Sequence, residues 1–138
     1  MVLKVLFICT NNLCRSVMAK AVFDKLVEKR GIDAESDSAG LAVYGDEKAD
    51  SLAVEVMKEI DIDISSHLSK NITPQMLNDF DFIFVMTHTH KENLTAFDEV
   101  ISQKIKVMNI EDPYGKGIEE YKNCRNNIVK YIDKLLEQ

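Results

Sequence analysis

The chain has 138 residues, which suits one domain with a full core, and nothing in it suggests a second. A formal net charge of −6 argues against nucleic acid as a partner, because generic nucleic-acid binding presents a basic stripe, and no apolar run has the length of a membrane span. Three sparse cysteines do not make a disulfide scaffold, and Met1-Val2-Leu3-Lys4 runs straight into an apolar segment with no signal peptide, so a cytoplasmic, reducing setting is expected.

In chain order, Val2 to Ile8 reads as the first strand, its apolar run Val5-Leu6-Phe7-Ile8 suited to burial on both faces. Ser16 to Lys29 carries apolar residues on one helical face, and Gly31 is its stop. Ala34 to Ser38 is a short polar run, expected as a fourth strand at a sheet edge. Leu52, Ala53, Val56, Met57 and Ile60 make an apolar stripe after Asp50. Thr73-Pro74 opens a helix, cap then first-turn proline. Phe80 to Met86 and Ile105 to Met108 are strand-like, with His88 and His90 between them read as a polar strand exit or helix start rather than metal ligands. Tyr121, Cys124, Ile128, Ile132 and Leu135 line the apolar face of a last helix. The lysine-rich stretches around Lys20, Lys25, Lys29 and Arg30, and at Lys104 and Lys106, alternate with acids and read as solvated faces. Strands alternating with helices predict an α/β fold over residues 1–138, a three-layer domain with a small, mainly parallel four-stranded sheet flanked by helices.

The chemistry concentrates between the first strand and the first helix, in Cys9-Thr10-Asn11-Asn12-Leu13-Cys14-Arg15-Ser16. Five residues separate Cys9 from Arg15. That spacing lets the chain curl so that successive backbone N–H groups point inward, while the helix aims its positive end into the same hollow. A phosphate dianion fits such a hollow. Arg15 adds a planar bidentate grip on two phosphate oxygens. Cys9, at the strand's end, faces phosphorus as a thiolate, the form that helix terminus, loop amides and arginine all favour. Late in the chain, Asp112-Pro113-Tyr114 presents a carboxyl from a fixed position, because proline holds the residue before it extended. Cys9 and Cys14 have no second pair at zinc-ligand spacing, so no metal is expected.

These residues resemble the low-molecular-weight protein tyrosine phosphatase family over essentially the whole chain. The similarity rests on the Cys9 to Ser16 loop, Ser38-Ala39-Gly40, His67 in Ser65-Ser66-His67, Met86-Thr87-His88-Thr89-His90-Lys91 and Asp112-Pro113-Tyr114-Gly115. The last two resemble the bacterial branch, which includes protein-arginine phosphatases. The resemblance implies Cys9 as nucleophile, Arg15 as phosphate ligand, Asp112 as general acid and base, and Ser16 as a donor to the Cys9 sulfur. Thr10, Asn11, Asn12, Leu13, Cys14 and Tyr114 then complete the phosphate and substrate pocket. Asn12, Ser38 and His67 form the set that holds the loop open, with Asn12 left-handed. The reaction needs no cofactor, and the partners are phosphorylated proteins. Two positions depart from the family, Asn11 where glycine is usual and Val17 where proline is. Leu13 matches tyrosine-selective members, which carry a bulky aliphatic there. Tyrosine phosphatase is therefore the first reading and arginine phosphatase the alternative. Two rivals are weaker. Thioredoxin-coupled arsenate reductases need further cysteines on a mobile segment, and the chain has none between Cys14 and Cys124; an inactive phosphate-binding module is opposed by the presence of Cys9, Arg15 and Asp112 together.

Overall fold

The computed structural model describes residues 2–137. Strand β1, Leu3–Cys9, sits inside a four-stranded sheet with β2 (Ala34–Gly40) on one side and β3 (Phe82–Val85) on the other, and β4 (Ile105–Val107) lies beyond β3. All three strand pairs are parallel. The expected mainly parallel four-stranded sheet is thus present and wholly parallel, and polar β2 takes an edge, as its composition predicts. Among the described residues five α-helices complete the fold: α1 (Arg15–Arg30), α2 (Ser51–Lys58), α3 (Pro74–Asp79), α4 (His88–Phe97) and α5 (Ile118–Leu135). A 3₁₀ turn over Glu99–Lys104 leads into β4.

The two-residue period of β1 divides the core. Val5, Phe7 and Cys9 point to one face, among Met18, Val22 and Phe23 of α1, Val56 and Met57 of α2, and Tyr121, Cys124 and Ile128 of α5. Leu6 and Ile8 point to the other, among Leu77 of α3, Leu94 of α4 and Ile101 of the 3₁₀ turn. Phe7 stacks on Phe84 at 5.7 Å or less from each of its ring neighbours, 5.5 Å to Phe84 and 5.7 Å edge-on to Phe23. The buried Arg125 of α5 donates to the Val56 carbonyl at 2.8 Å and to Glu59 at 2.7 Å, tying α5 to the end of α2.

The helix signals act as the sequence predicts. Gly31 closes α1 at φ 64°, where its N–H reaches back to the last turn. Thr73 caps α3 by accepting the Met76 N–H, and Pro74 fills the first turn. Strand ends move by one or two residues. Phe80 and Asp81 precede β3 rather than belonging to it, because Asp81 instead exchanges hydrogen bonds with the backbone of Lys4.

Candidate active site

Parity along β1 puts Cys9 on the face covered by α1 and α5, at the strand's carboxyl end, and α1 begins six residues later. Helices α2, α3 and α4 are each capped by a side-chain oxygen, from Asp50, Thr73 and Thr87. Among the described residues no side chain caps α1. Its first-turn N–H groups are therefore left for an anion, at the positive end of a 16-residue helix.

The loop between Cys9 and α1 is held by one buried asparagine. Asn12 has φ 56°, a left-handed conformation that asparagine adopts more readily than most residues. Its Nδ2 donates to Ser16 Oγ at 2.8 Å and to Ser38 Oγ at 3.0 Å, while its Oδ1 accepts the Lys70 N–H at 3.1 Å. The Asn12 carbonyl accepts from Nε2 of His67 at 2.8 Å. Burial lowers the His67 pKa, with the bond to Asn12 partly opposing, so the ring stays neutral and donates from Nε2. Ser16 accepts from Asn12 and lies 2.9 Å from the Cys9 sulfur. Either atom of this pair can donate; against a Cys9 thiolate, which only accepts, the Ser16 hydroxyl is the donor. The sequence-predicted group of Asn12, Ser38, His67 and Ser16 is thus brought together.

Two further points anchor the loop. The Leu13 carbonyl accepts the Asp50 N–H at 2.9 Å, docking the start of α2 against the loop, and Asp50 in turn accepts from the Tyr121 hydroxyl. Gly40, opposite Cys9 in the β1–β2 register, lies under the loop. A Cβ there would stand 2.8 Å from the Thr10 carbonyl oxygen and 3.0 Å from the Asn11 carbonyl carbon, so the glycine of Ser38-Ala39-Gly40 is required by close approach. Asn11 itself is exposed and does not have a positive φ, so nothing in its backbone calls for glycine. Val17 sits buried in the first turn of α1, where proline is dispensable.

Arg15 is buried, and one of its terminal nitrogens donates to the Ile110 carbonyl at 2.9 Å. The other stands 3.9 Å from a carboxylate oxygen of Asp112. This brings together the two ends of the site that are 97 residues apart in sequence, and leaves the remaining guanidinium donors for a ligand. Asp112 is at the exposed rim, where its other oxygen accepts the Tyr114 N–H at 3.1 Å and fixes the turn through Pro113. Tyr114 and Tyr44 are solvent-exposed, at 76% and 95%, and Leu13 is half-buried. The side chain of Cys14, expected to line the pocket, instead turns into the core beside Cys124 of α5, and the hydrogen bond with that thiol, together with burial, drives its pKa well above the usual thiol range.

One residue of the site escaped the sequence reading. His90, read there as a helix start, does lie in the first turn of α4, but it is only 5% exposed and its Nε2 is 2.9 Å from Thr10 Oγ1. Burial, with Arg15 close by and Asp112 partly opposing, lowers its pKa to about 4.

The sequence model of the family described as "Low molecular weight phosphotyrosine protein phosphatase" matches residues 4–138. The chain belongs to that family. It is 32% identical to a protein-arginine-phosphatase of Bacillus subtilis (strain 168), over 97% of this chain and 95% of the relative. It is 33% identical to an arsenate reductase of Staphylococcus saprophyticus, over 94% of this chain and 92% of the relative. Among solved structures, the low molecular weight protein tyrosine phosphatase of T. tengcongensis superposes with a TM-score of 0.93 at 36% identity, covering 98% of both chains. The chain is thus similar to proteins of both kinds weighed from the sequence, a phosphatase and an arsenate reductase. Among the described residues no helix of this chain is long and apolar enough to cross a membrane.

Proposed function

We propose that the chain is a metal-independent phosphatase of phosphorylated proteins, one domain over residues 1–138, that works through a phosphocysteine on Cys9. The observation that carries this reading is the contact chain Asn12–Ser16–Cys9, closed on the other side by Arg15 and Asp112. The Cys9 sulfur attacks phosphorus as the ester P–O bond breaks, and Asp112 gives its proton to the departing oxygen. Water then attacks the phosphocysteine, Asp112 takes its proton, and inorganic phosphate leaves with the P–S electron pair returned to Cys9. The uncapped α1 amides, the loop N–H groups and Arg15 stabilise the equatorial oxygens throughout. The Ser16 proton meets the sulfur as negative charge returns to it.

Tyrosine phosphate is the preferred substrate in this reading. Leu13 offers apolar surface at the mouth, worth on the order of 1 kcal/mol against a phenyl ring, and it gives a guanidinium no hydrogen bond. Tyr114, exposed beside Asp112, adds a second aromatic wall. The arginine-phosphatase reading is favoured by the B. subtilis relative, by solved arginine-phosphatase structures of the same fold and by the bacterial-branch motifs. The redox reading lacks the thiols it needs, since no cysteine lies between Cys14 and Cys124.

The test measures turnover of an aryl phosphate with a chelator present, then kcat/KM on phosphotyrosyl and phosphoarginyl peptides. Turnover that survives the chelator, disappears in Cys9→Ser and is higher on phosphotyrosine is the expected result. Leu13→Thr should narrow the preference. Wild-type preference for phosphoarginine would overturn the substrate assignment, and near-normal turnover by Cys9→Ser would overturn the covalent mechanism.

A further inference from the structure

The Asn12 group grips the phosphate loop on one side only. Across the loop stands His90, which reaches it from the opposite direction. The helix that carries His90 follows β3, the strand hydrogen-bonded to β1, so the start of α4 lies beside the end of β1. Thr87 fixes that start: its hydroxyl oxygen accepts the His90 N–H at 3.2 Å. The imidazole then turns toward Thr10, the residue directly after Cys9, and its Nε2 stands 2.9 Å from Oγ1. On its backbone side Thr10 is held by Ala42, whose N–H donates to the Thr10 carbonyl at 2.9 Å, while the Cys9 carbonyl accepts from Leu41 at 3.1 Å. The peptide that follows the sulfur is therefore pinned from both sides.

The ring's other nitrogen decides the tautomer. Nδ1 is buried and has no hydrogen-bond partner. Burying a bare lone pair is less unfavourable than burying an unpaired N–H, since orphaned buried N–H groups are the rarer kind. The proton therefore sits on Nε2, which donates to Thr10 Oγ1, and the Thr10 hydroxyl keeps its own proton to give elsewhere. A second proton on the ring is disfavoured by burial and by the Arg15 guanidinium facing it from α1; Asp112, from the loop after β4, is the one acid that opposes.

Resting on the phosphatase reading above, we propose that His90 is a positioning residue of this site: its neutral imidazole, donating from Nε2 to Thr10, fixes the Cys9–Thr10 peptide so that the sulfur meets phosphorus in line and the loop amide meets an equatorial oxygen. It touches neither substrate nor sulfur. Its effect passes through Thr10.

The experiment is a double-mutant cycle with a matched donor. His90→Phe keeps the ring's bulk and removes the donor, Thr10→Val keeps the shape and removes the acceptor, and His90→Gln restores an N–H donor. On an aryl phosphate, His90→Phe and Thr10→Val are each expected to lower kcat about 5–10-fold, the size of one hydrogen bond. Inhibition by inorganic phosphate should change less than about twofold, because Arg15 and the α1 amides still hold the anion. The double variant should be no slower than either single one, and His90→Gln should recover most of the rate. Additive losses, or a His90→Gln variant as slow as His90→Phe, would overturn the proposal. The ¹⁵N spectrum of the histidine rings gives a readout free of turnover. It should show an Nε2–H tautomer for His90 that persists below pH 6 in the wild type, with the Nε2–H resonance shifted by loss of its acceptor in Thr10→Val. An Nδ1–H tautomer would overturn the proposal even if the variants do not fold. A wild-type protein with this spectrum but no turnover would instead refute the phosphatase reading.

Discussion

Asn12 is the residue whose replacement tests the loop most sharply, because its side chain and its backbone contribute separately. The side chain makes three hydrogen bonds, to Ser16, to Ser38 and from the Lys70 N–H, all inside the protein. At about 1 kcal/mol net for each, Asn12→Gly should lose about 3 kcal/mol. Glycine keeps the freedom to sit at φ 56°, whereas alanine does not, so Asn12→Ala should lose about 1 kcal/mol more. With a urea dependence of about 1.5 kcal/mol per molar, the glycine variant's midpoint falls by about 2 M and the alanine variant's by nearly 3 M. Urea unfolding followed by circular dichroism measures both. Turnover adds an independent reading: without the amide donor, the Ser16 hydroxyl is no longer turned toward Cys9, and kcat should fall about 10-fold or more in each variant. Alanine and glycine variants of equal stability would show that the left-handed backbone is not a constraint. Losses below about 1 kcal/mol in both would show that the buried bonds do not hold the loop.

Asp112→Asn should slow hydrolysis by roughly 10²–10⁴-fold on a poor leaving group and much less on a good one, the pattern of a lost general acid; an equal loss on both would assign Asp112 a structural role through its bond to Tyr114. His90, with a pKa of about 4 in the folded protein against about 6.5 in the unfolded chain, should make stability pH-dependent. As pH falls from 6.5 the unfolded chain takes up the proton first, so stability is full above pH 6.5 and is lost toward pH 4, by up to about 3 kcal/mol. Urea midpoints across that window should flatten in His90→Gln, and unchanged curvature would refute the assignment. Peroxide should convert Cys9 to a sulfenic acid that Cys14 captures as a disulfide, with activity restored by a thiol reductant. Peptide mass spectrometry reads the link; irreversible loss without it, or a Cys14–Cys124 link in its place, would refute the capture step, since Cys14 faces Cys124 in the core.

Much of this protein is legible in its sequence because the relevant forces are local. The run Val5 to Ile8 must be a strand buried on both faces, and Gly31 and Thr73-Pro74 mark helix ends by their own backbone preferences. The Cys9 to Arg15 spacing between a strand and a helix marks the loop, although the bonds of Asn12 to Ser38 and Lys70 that hold its shape come from distant segments. Asp112-Pro113 likewise sets its own turn. Even the location of the site at the end of β1 follows from a strand, a short loop and a helix in succession.

Strand order and the partners of each polar side chain belong to tertiary structure. Period-two patterning says which face a residue of β1 takes, but not that β2 and β3 flank it or that all four strands run parallel. His90 is the clearest instance. In sequence it is a polar residue at a helix start, indistinguishable from exposed His88, and its burial arises only when α4 packs beside β1 and meets Thr10 eighty residues away. The same holds for Arg15 on the Ile110 carbonyl and for Cys14 facing Cys124. Composition and periodicity record how much apolar surface a segment must hide and on which side. A hydrogen bond between distant segments leaves no such periodic trace, because either partner satisfied by water would have the same local sequence; only the packing that removes the water selects the protein partner.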